Sequence, residues 1–322
     1  MGVILSPINY TYVLEGNSFR RPVNFTIFST GLEAFCPKSD MISLIMSQDP
    51  PLQFIIPQAF TQDHNDALFA YLVDARNLTT AVWQQIYTGV DLLNKAQVVM
   101  PEATRTFRQV YDEFIGRPFA DQYIEQLLET SNVMVESPRM TAQFARQINP
   151  ILRKAGLLRR DMPYSVLLQG YCLYWWQSFT RGYAFEVYIM RDLTSNGIKF
   201  QMHDVRNWIE RYSPADLSVL GLFGDIKTSV YFLQWQKQNR MSNDFYITRL
   251  YEKGRERTLV VFQKPHAWDT IEGGTTMPGT LETILDLLPT PVQITLRDII
   301  LIVVDYETWK QMVHQKQLGE GV

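Results

Sequence analysis

The chain carries the stretch Pro214-Ala-Asp-Leu-Ser-Val-Leu-Gly-Leu-Phe-Gly-Asp-Ile-Lys-Thr-Ser229, which has the pattern of two short apolar strands joined by a turn. Successive strand residues face opposite sides of a sheet, so Asp225 and Lys227 project from one face while Ile226 points into a core. With a turn centred on Leu220-Gly221, antiparallel pairing places Asp216 opposite Asp225, with Cβ atoms about 4.5–5.5 Å apart. A longer loop would shift this register by one residue and send Asp216 to the opposite face.

Two carboxylates at this separation repel each other, and a divalent cation between them turns the repulsion into a binding site. Oxygen ligands beside an ammonium group suit Mg²⁺ and phosphodiester chemistry. The alternative interpretation is a solvated hairpin edge that carries ordinary charges, and only the surrounding elements can decide between the two.

Composition describes a globular protein with a large core. The chain has 322 residues, of which 46% are hydrophobic and 20% are charged. Its net charge of −3 gives no global attraction to nucleic acid, so phosphate contacts would have to come from local basic clusters. Two such clusters are Arg153, Lys154, Arg159 and Arg160, and Lys253, Arg255 and Arg257.

Cysteine usage and the N-terminal sequence predict a cytoplasmic protein. The two cysteines, Cys36 and Cys172, match no zinc spacing. No basic, then apolar, leader opens the chain, and no run approaches the roughly 18 apolar residues of a membrane span. The stretch Glu272-Gly-Gly-Thr-Thr276 lacks the lysine of a phosphate-binding loop, so no nucleotide cofactor is expected. The four histidines, His64, His203, His266 and His314, show no metal-ligand spacing and are interpreted as surface or incidental residues.

The two halves of the chain have different patterns. Residues 1 to about 60 read as short strands and loops, and apolar residues then recur at three- and four-residue spacing. The predicted helices of this half are Asp63–Ala75, Thr79–Ala96, Pro101–Ile115, Pro118–Glu129 and Arg139–Lys154.

The second half predicts a long helix followed mainly by strands. The helix is capped by Asp161, runs to about Leu193 and stops at Asn196-Gly197. After it come a strand at Ile198–His203, the hairpin already described, a helix at Ser229–Asn239, a strand pair at Phe245–Tyr251 and Thr258–Gln263, a helix near Leu281–Leu288, a doubly buried strand at Asp298–Val304 and a final helix from Glu307.

Glu186 is the lone carboxylate in the buried stretch Tyr183-Ala-Phe-Glu-Val-Tyr-Ile-Met190. A buried charge without a partner costs several kcal/mol, so this glutamate needs a cation or an ion pair. A pairing with a nearby arginine such as Arg181 is the structural alternative to a functional role.

These residues together resemble the PD-(D/E)XK nuclease superfamily, which has the restriction-endonuclease-like fold. In that family a helix supplies a glutamate, the second strand starts with an aspartate, and the third strand carries Asp or Glu, any residue, then Lys. Glu186, Asp216, Asp225 and Lys227 fall on the matching elements in the matching order. The resemblance covers about Asp161 to Lys264 and implies an α/β fold whose core is an α-β-β-β-α-β mixed sheet, preceded by a mainly helical N-terminal region.

The resemblance also implies a site, a cofactor and a substrate. Asp216, Asp225 and the Ile226 carbonyl would bind Mg²⁺, or alternatively Mn²⁺, with Glu186 joining directly or through water. Lys227 would orient the attacking water. The implied activity is that of a Mg²⁺-dependent endodeoxyribonuclease, in which residues 156–322 form the nuclease-like domain and residues 1–155 serve recognition or oligomerisation. Cleavage of both strands of a duplex favours a homodimer.

Two other interpretations stay open. One is a non-catalytic scaffold that binds nucleic acid or protein with a nuclease-like fold, because folds outlive their chemistry. The other is a different enzyme in which the 214–229 hairpin is incidental.

Overall fold

The computed structural model describes residues 9–14, 17–22, 53–100, 103–129, 165–230, 241–252, 255–263, 265–296 and 299–319, with the isolated positions 146, 150 and 233. These residues form a mixed α/β protein. The chain divides into two compact units, the first comprising 1–122 and 137–179, the second 123–136 and 180–322. Because the first unit takes in residues on both sides of the expected boundary, a domain limit at residue 155 stays a prediction.

The first unit combines helices with small antiparallel sheets. Its elements are β1 (Asn9–Leu14), β2 (Asn17–Pro22), β3 (Gln53–Ile55), α1 (Gln62–Asp74), α2 (Thr80–Asn94), β4 (Gln97–Val99), β5 (Thr104–Thr106), α3 (Phe107–Val110), a π-helical turn (Tyr111–Gly116) and the start of α4 (Arg117–Glu129). Strand β1 pairs with β2, and β4 lies between β3 and β5.

The predicted helices of this unit are largely confirmed. Helices α1, α2 and α4 coincide with three of them. The helix predicted at Pro101–Ile115 is wrong at its start, because Thr104–Thr106 pairs with β4 and the helix begins only at Phe107. The prediction for Arg139–Lys154 lies outside the described residues, apart from two isolated positions.

A long helix leads into the second unit. Helix α5 spans Ser165–Ser195, and its predicted start at Asp161 lies outside the described residues. It ends as expected, since Gly197 takes a left-handed φ of 68°. The Ile198 N–H donates to the Leu193 carbonyl at 3.0 Å and the Gly197 N–H to the Thr194 carbonyl at 3.1 Å, which is a Schellman cap.

The second unit is built on an eight-stranded mixed sheet. After α5 come β6 (Gln201–Met202), β7 (Leu217–Val219), β8 (Leu222–Lys227), β9 (Phe245–Glu252), β10 (Arg255–Phe262), α6 (Pro265–Thr270), β11 (Met277–Pro278), α7 (Ile284–Leu287), β12 (Val292–Leu296), β13 (Ile299–Asp305) and α8 (Tyr306–Gly319). The spatial order is β11-β12-β13-β10-β9-β8-β7-β6.

The parallel pairing of β8 with β9 distinguishes this sheet from a simple meander. Parallel neighbours need a crossover connection, and residues 228–244 supply it. The predicted helix Ser229–Asn239 falls in this crossover, outside the described residues except at its first positions and Leu233. The β9–β10 hairpin is confirmed. The strand expected to be buried on both faces is present as β13, but its Ile300 is 51% exposed.

Both faces of the sheet are covered. Phe245 and Ile247 pack in one apolar cluster with Phe185 of α5 and Trp309 of α8. Tyr246 and Leu250 belong to a second cluster, formed with residues of α7, β12 and β13. Helix α5 is therefore fixed against one face of the sheet. None of the helices among the described residues is long and apolar enough to cross a membrane.

Candidate metal site

The turn of the β7–β8 hairpin fixes the position of both aspartates. Leu220 and Gly221 take left-handed φ values of 53° and 76°, the signature of a two-residue type I′ turn. Val219 then pairs with Leu222 and Leu217 with Gly224, so the ladder points Asp216 at Asp225. The predicted register is confirmed, although leucine is an unfavourable residue for this conformation.

Asp216 lies directly before the first residue of β7 and contacts β8. The Asp216 N–H donates to the Gly224 carbonyl at 2.9 Å, and the Ile226 N–H donates to Asp216 Oδ2 at 2.6 Å. The carboxyl groups of Asp216 and Asp225 lie within hydrogen-bonding reach of each other. Lys227 shares the face of Asp225, and its Nζ donates to Asp225 Oδ1 at 2.6 Å.

Glu186 reaches the same place from helix α5, through a histidine. His203 Nε2 lies 3.4 Å from Glu186 Oε2, and His203 Nδ1 lies 3.6 Å from Asp216 Oδ1. His203 directly follows β6, and its backbone N–H donates to the Asp216 carbonyl at 3.0 Å, which holds the imidazole between the two carboxylates. Ligand atoms of Glu186, His203 and Asp216 all lie within 4.8 Å of one another.

His203 corrects the sequence-based interpretation of the histidines as surface or incidental. Its side chain is only 5% exposed. The contact that the structure shows for Glu186 is with His203, in place of the alternative pairing with Arg181. No spacing motif in the sequence identifies this histidine, because the pairing of β6 with β7 is what brings it close to Asp216.

The cluster holds more negative than positive charge. Glu186, Asp216 and Asp225 bring three carboxyl groups, against the ammonium of Lys227 and the titratable His203. All three carboxyl side chains are at most 13% exposed. Among the described residues, Glu186 Oε2 and both ring nitrogens of His203 are buried without a hydrogen-bond partner. One of the two nitrogens, with one carboxylate oxygen each from Glu186 and Asp216, could contact a single cation, so the residues present fit a metal ion.

The crowding shifts the protonation of this cluster. Burial, together with the hydrogen bond that the protonated Asp225 donates to Asp216, raises the pKa of Asp225 to about 7. Burial and the charge of Glu186 also raise the pKa of Asp216. Burial lowers the pKa of His203, but the contacts with Glu186 and Asp216 together outweigh it and raise that pKa. The pKa values of the two aspartates rise first because of burial and then because of neighbouring carboxyl groups, whereas that of His203 rises because of its carboxylate neighbours.

The metal-free protein should therefore lose stability as the pH rises from about 4 through 7. The raised pKa of Asp225 means that the folded state holds a proton that the unfolded state releases, so the favourable contribution is complete below the unfolded pKa and is lost as the pH passes 7. Urea unfolding in EDTA measures the difference in free energy of unfolding between Asp225→Asn and the wild type. This difference should favour the variant by up to about 3 kcal/mol more at pH 8 than at pH 5. A difference that is the same at both pH values would contradict this account.

The basic clusters add little to the site as described. Arg255 pairs with Asp286 at 2.9 Å. Arg153, Lys154, Arg159, Arg160 and Lys253 lie outside the described residues.

No protein-family model matches the chain, and comparison with curated proteins and with solved structures finds no significant match.

Proposed function

We propose that the protein is a metal-dependent phosphodiesterase, an endonuclease that acts on DNA. The observation that supports this most is the convergence of Glu186, His203 and Asp216 within 4.8 Å, with Asp225 and Lys227 adjoining Asp216. Buried titratable groups whose pKa values are shifted by burial and by specific charged neighbours cluster at functional sites. The α5-β6-β7-β8 order agrees with the nuclease-like core expected from the sequence.

The metal would be held by Glu186, His203 and Asp216, and Asp225, whose carboxyl group is hydrogen-bonded to that of Asp216, would be a further ligand. The Ile226 carbonyl is a further candidate, since the N–H and C=O of a strand residue point to the same edge and this N–H meets Asp216. When bound, a divalent cation neutralises charge on the scissile phosphate and lowers the pKa of a water molecule.

Lys227 has a role that depends on its partner. Its side chain is 36% exposed, so the ammonium group can reach a substrate while Asp225 holds it in place. A fixed ammonium beside the scissile phosphate orients the attacking water and stabilises the charge that develops. Because β8 sends Asp225 and Lys227 to one face, the carboxylate and the ammonium are positioned by the same strand.

The donor set bears on the choice between Mg²⁺ and Mn²⁺. Carboxylates suit both ions, but imidazole is a ligand for transition metals and not for Mg²⁺. If His203 is a direct ligand, His203→Ala should weaken Mn²⁺ binding about 10-fold or more and leave Mg²⁺ binding almost unchanged. Calorimetric titration of the wild type and of His203→Ala with each ion measures the change in affinity. His266→Ala is a suitable control, since His266 is 66% exposed. Equal losses for the two ions would place His203 outside the coordination sphere.

The activity itself is tested with plasmid and branched DNA incubated with Mn²⁺ or Mg²⁺, beside an EDTA control. Cleavage that depends on the metal supports the proposal, and its absence under all conditions removes it. A homodimer and a cytoplasmic location belong to the same proposal and rest on the sequence alone.

A second candidate function is a non-catalytic binding scaffold. It is favoured by the contacts of His203 with Glu186 and Asp216 and of Lys227 with Asp225, which give each carboxylate a cationic partner once His203 is protonated. Such a network would hold the fold together without any metal. Thermal unfolding separates the two candidates: a scaffold shows no stabilisation by Mn²⁺, whereas a metal site is stabilised in proportion to the logarithm of the ion concentration once that concentration exceeds Kd.

A further inference from the structure

Phe223 is an exposed aromatic residue of strand β8, next to the candidate metal site. The residue is 57% exposed. Its backbone N–H donates to Asp244 Oδ2 at 2.9 Å, and its carbonyl accepts from the Asp244 N–H at 2.8 Å. Because these bonds hold the backbone within the sheet, the exposed part of Phe223 is its ring. This ring makes no aromatic or cation contact with any other residue that the structure describes.

The ring projects from the same face of the sheet as Asp225 and Lys227. Side chains alternate along β8, and those of Leu222 and Ile226 point the opposite way, into the apolar cluster that α5 joins. Cα atoms two positions apart in a strand are separated by about 6.6 Å, so Phe223 and Asp225 carry neighbouring side chains. The base and the phosphate of one nucleotide are separated by a comparable distance.

The surface around Phe223 continues across three strands. Ser218 pairs with Phe223, and Gln201 pairs with Ser218, so the three residues form one row across β6, β7 and β8. Gln201 is exposed and Ser218 is partly exposed. The next row along the strands contains Asp216 and Asp225. The aromatic ring therefore lies in a polar surface one row away from the carboxylates of the site.

We propose that Phe223 determines substrate specificity by stacking on an unpaired base next to the phosphate at the metal site. This rests on the proposed function and specifies its substrate as single-stranded DNA. Stacking on an aromatic ring requires a free face of the base, which a single strand offers and the continuous stack of a duplex does not. The net charge of −3 leaves little long-range attraction for a phosphate backbone, so stacking supplies a larger share of the affinity.

Polar groups that suit the edge of this base lie in the same row as the ring. The hydroxyl of Ser218 donates and accepts hydrogen bonds, and the amide of Gln201 offers both kinds of group. An unpaired base has a free hydrogen-bonding edge, whereas a paired base has used it. The row thus combines a stacking surface with groups that favour unpaired bases.

The test is a binding measurement in EDTA, where no hydrolysis occurs. Fluorescence anisotropy with a labelled single-stranded DNA of about 12 nucleotides should show Phe223→Ala binding about 10-fold more weakly than the wild type. Phe223→Tyr keeps the ring and should bind almost as tightly as the wild type. Phe223→Leu keeps an apolar side chain without an aromatic face, so it should bind almost as weakly as Phe223→Ala. A strand of abasic sites should bind the wild type and Phe223→Ala equally.

Ile300→Ala is the matched control, because Ile300 is an apolar residue of the same sheet with a similar exposure of 51%. It lies on β13, which β10 and β9 separate from β8. This variant should bind the single strand as tightly as the wild type does. Circular dichroism checks that each variant is folded.

Several outcomes would overturn the stacking role. They are equal affinity of Phe223→Ala and the wild type, full affinity in Phe223→Leu, an equal loss in Ile300→Ala, and an equal loss for a blunt duplex. Hydrolysis assays with Mn²⁺ separate this inference from the proposed function. Cleavage of the single strand whose KM is unchanged by Phe223→Ala removes the stacking role and keeps the phosphodiesterase. Binding through Phe223 without any cleavage keeps the stacking role and removes the phosphodiesterase.

Discussion

Lys227→Ala is expected to lower the rate of DNA cleavage about 1,000-fold or more, while DNA binding stays within a few-fold of the wild type. The ammonium group is the cationic side chain that Asp225 holds at 2.6 Å, and alanine leaves nothing to orient water or to stabilise the developing charge. Single-turnover cleavage in Mn²⁺ measures the chemical step. Anisotropy with the same DNA in EDTA measures binding.

Lys199→Ala is the matched control, because Lys199 is an exposed lysine of the same unit whose described hydrogen bonds are made by its backbone. It should cleave at the wild-type rate. If Lys227→Ala cleaves as fast as this control, the lysine has no role in the reaction. If both variants lose binding, the effect is one of net charge and not of position.

Asp216→Asn should remove metal binding and activity together. Asp216 contacts His203, Asp225 and the Ile226 N–H, so it is the carboxylate that joins both halves of the site. Asparagine keeps the size of the side chain and can still accept from Ile226. Loss of the charge should weaken Mn²⁺ binding more than about 100-fold and cleavage about 1,000-fold.

Calorimetry with Mn²⁺ and the cleavage assay measure the two effects. Asp269→Asn serves as the control, since Asp269 is an exposed aspartate of the same unit. The metal-free Asp216→Asn protein should also be at least as stable as the wild type, because the substitution relieves repulsion with Glu186 and Asp225. Unchanged Mn²⁺ affinity in a folded Asp216→Asn protein would show that this carboxylate does not bind the ion.

The sequence was sufficient for the parts of the site that depend on local geometry. The period of two residues in a strand places Asp225 and Lys227 together, and the hairpin register then places Asp216 beside Asp225. The stop of α5 at Asn196-Gly197 follows equally from glycine's tolerance of a left-handed conformation. Leucine at position 220 disfavours the left-handed conformation of this turn, and the pairing of the flanking strands overrides that preference.

Contacts between elements distant in sequence were harder to predict. His203 meets Glu186 and Asp216 only through the packing of α5 on the sheet and the pairing of β6 with β7, and neither leaves a spacing motif. The sequence predicts helix at β5 because three residues are too few to show a period of two. A parallel pairing such as that of β8 with β9 also has no local signal, since its partners are brought together by the crossover.

The tight turn at Leu220-Gly221 has a consequence for how the gene can change. Adding or deleting one codon there would rotate Asp216 to the far side of the strand and separate it from Asp225. The 204–215 loop ends outside the strand ladder, so changes in its length leave that register intact. Among homologues that keep the chemistry, indels should therefore collect in the loop and be absent from the hairpin.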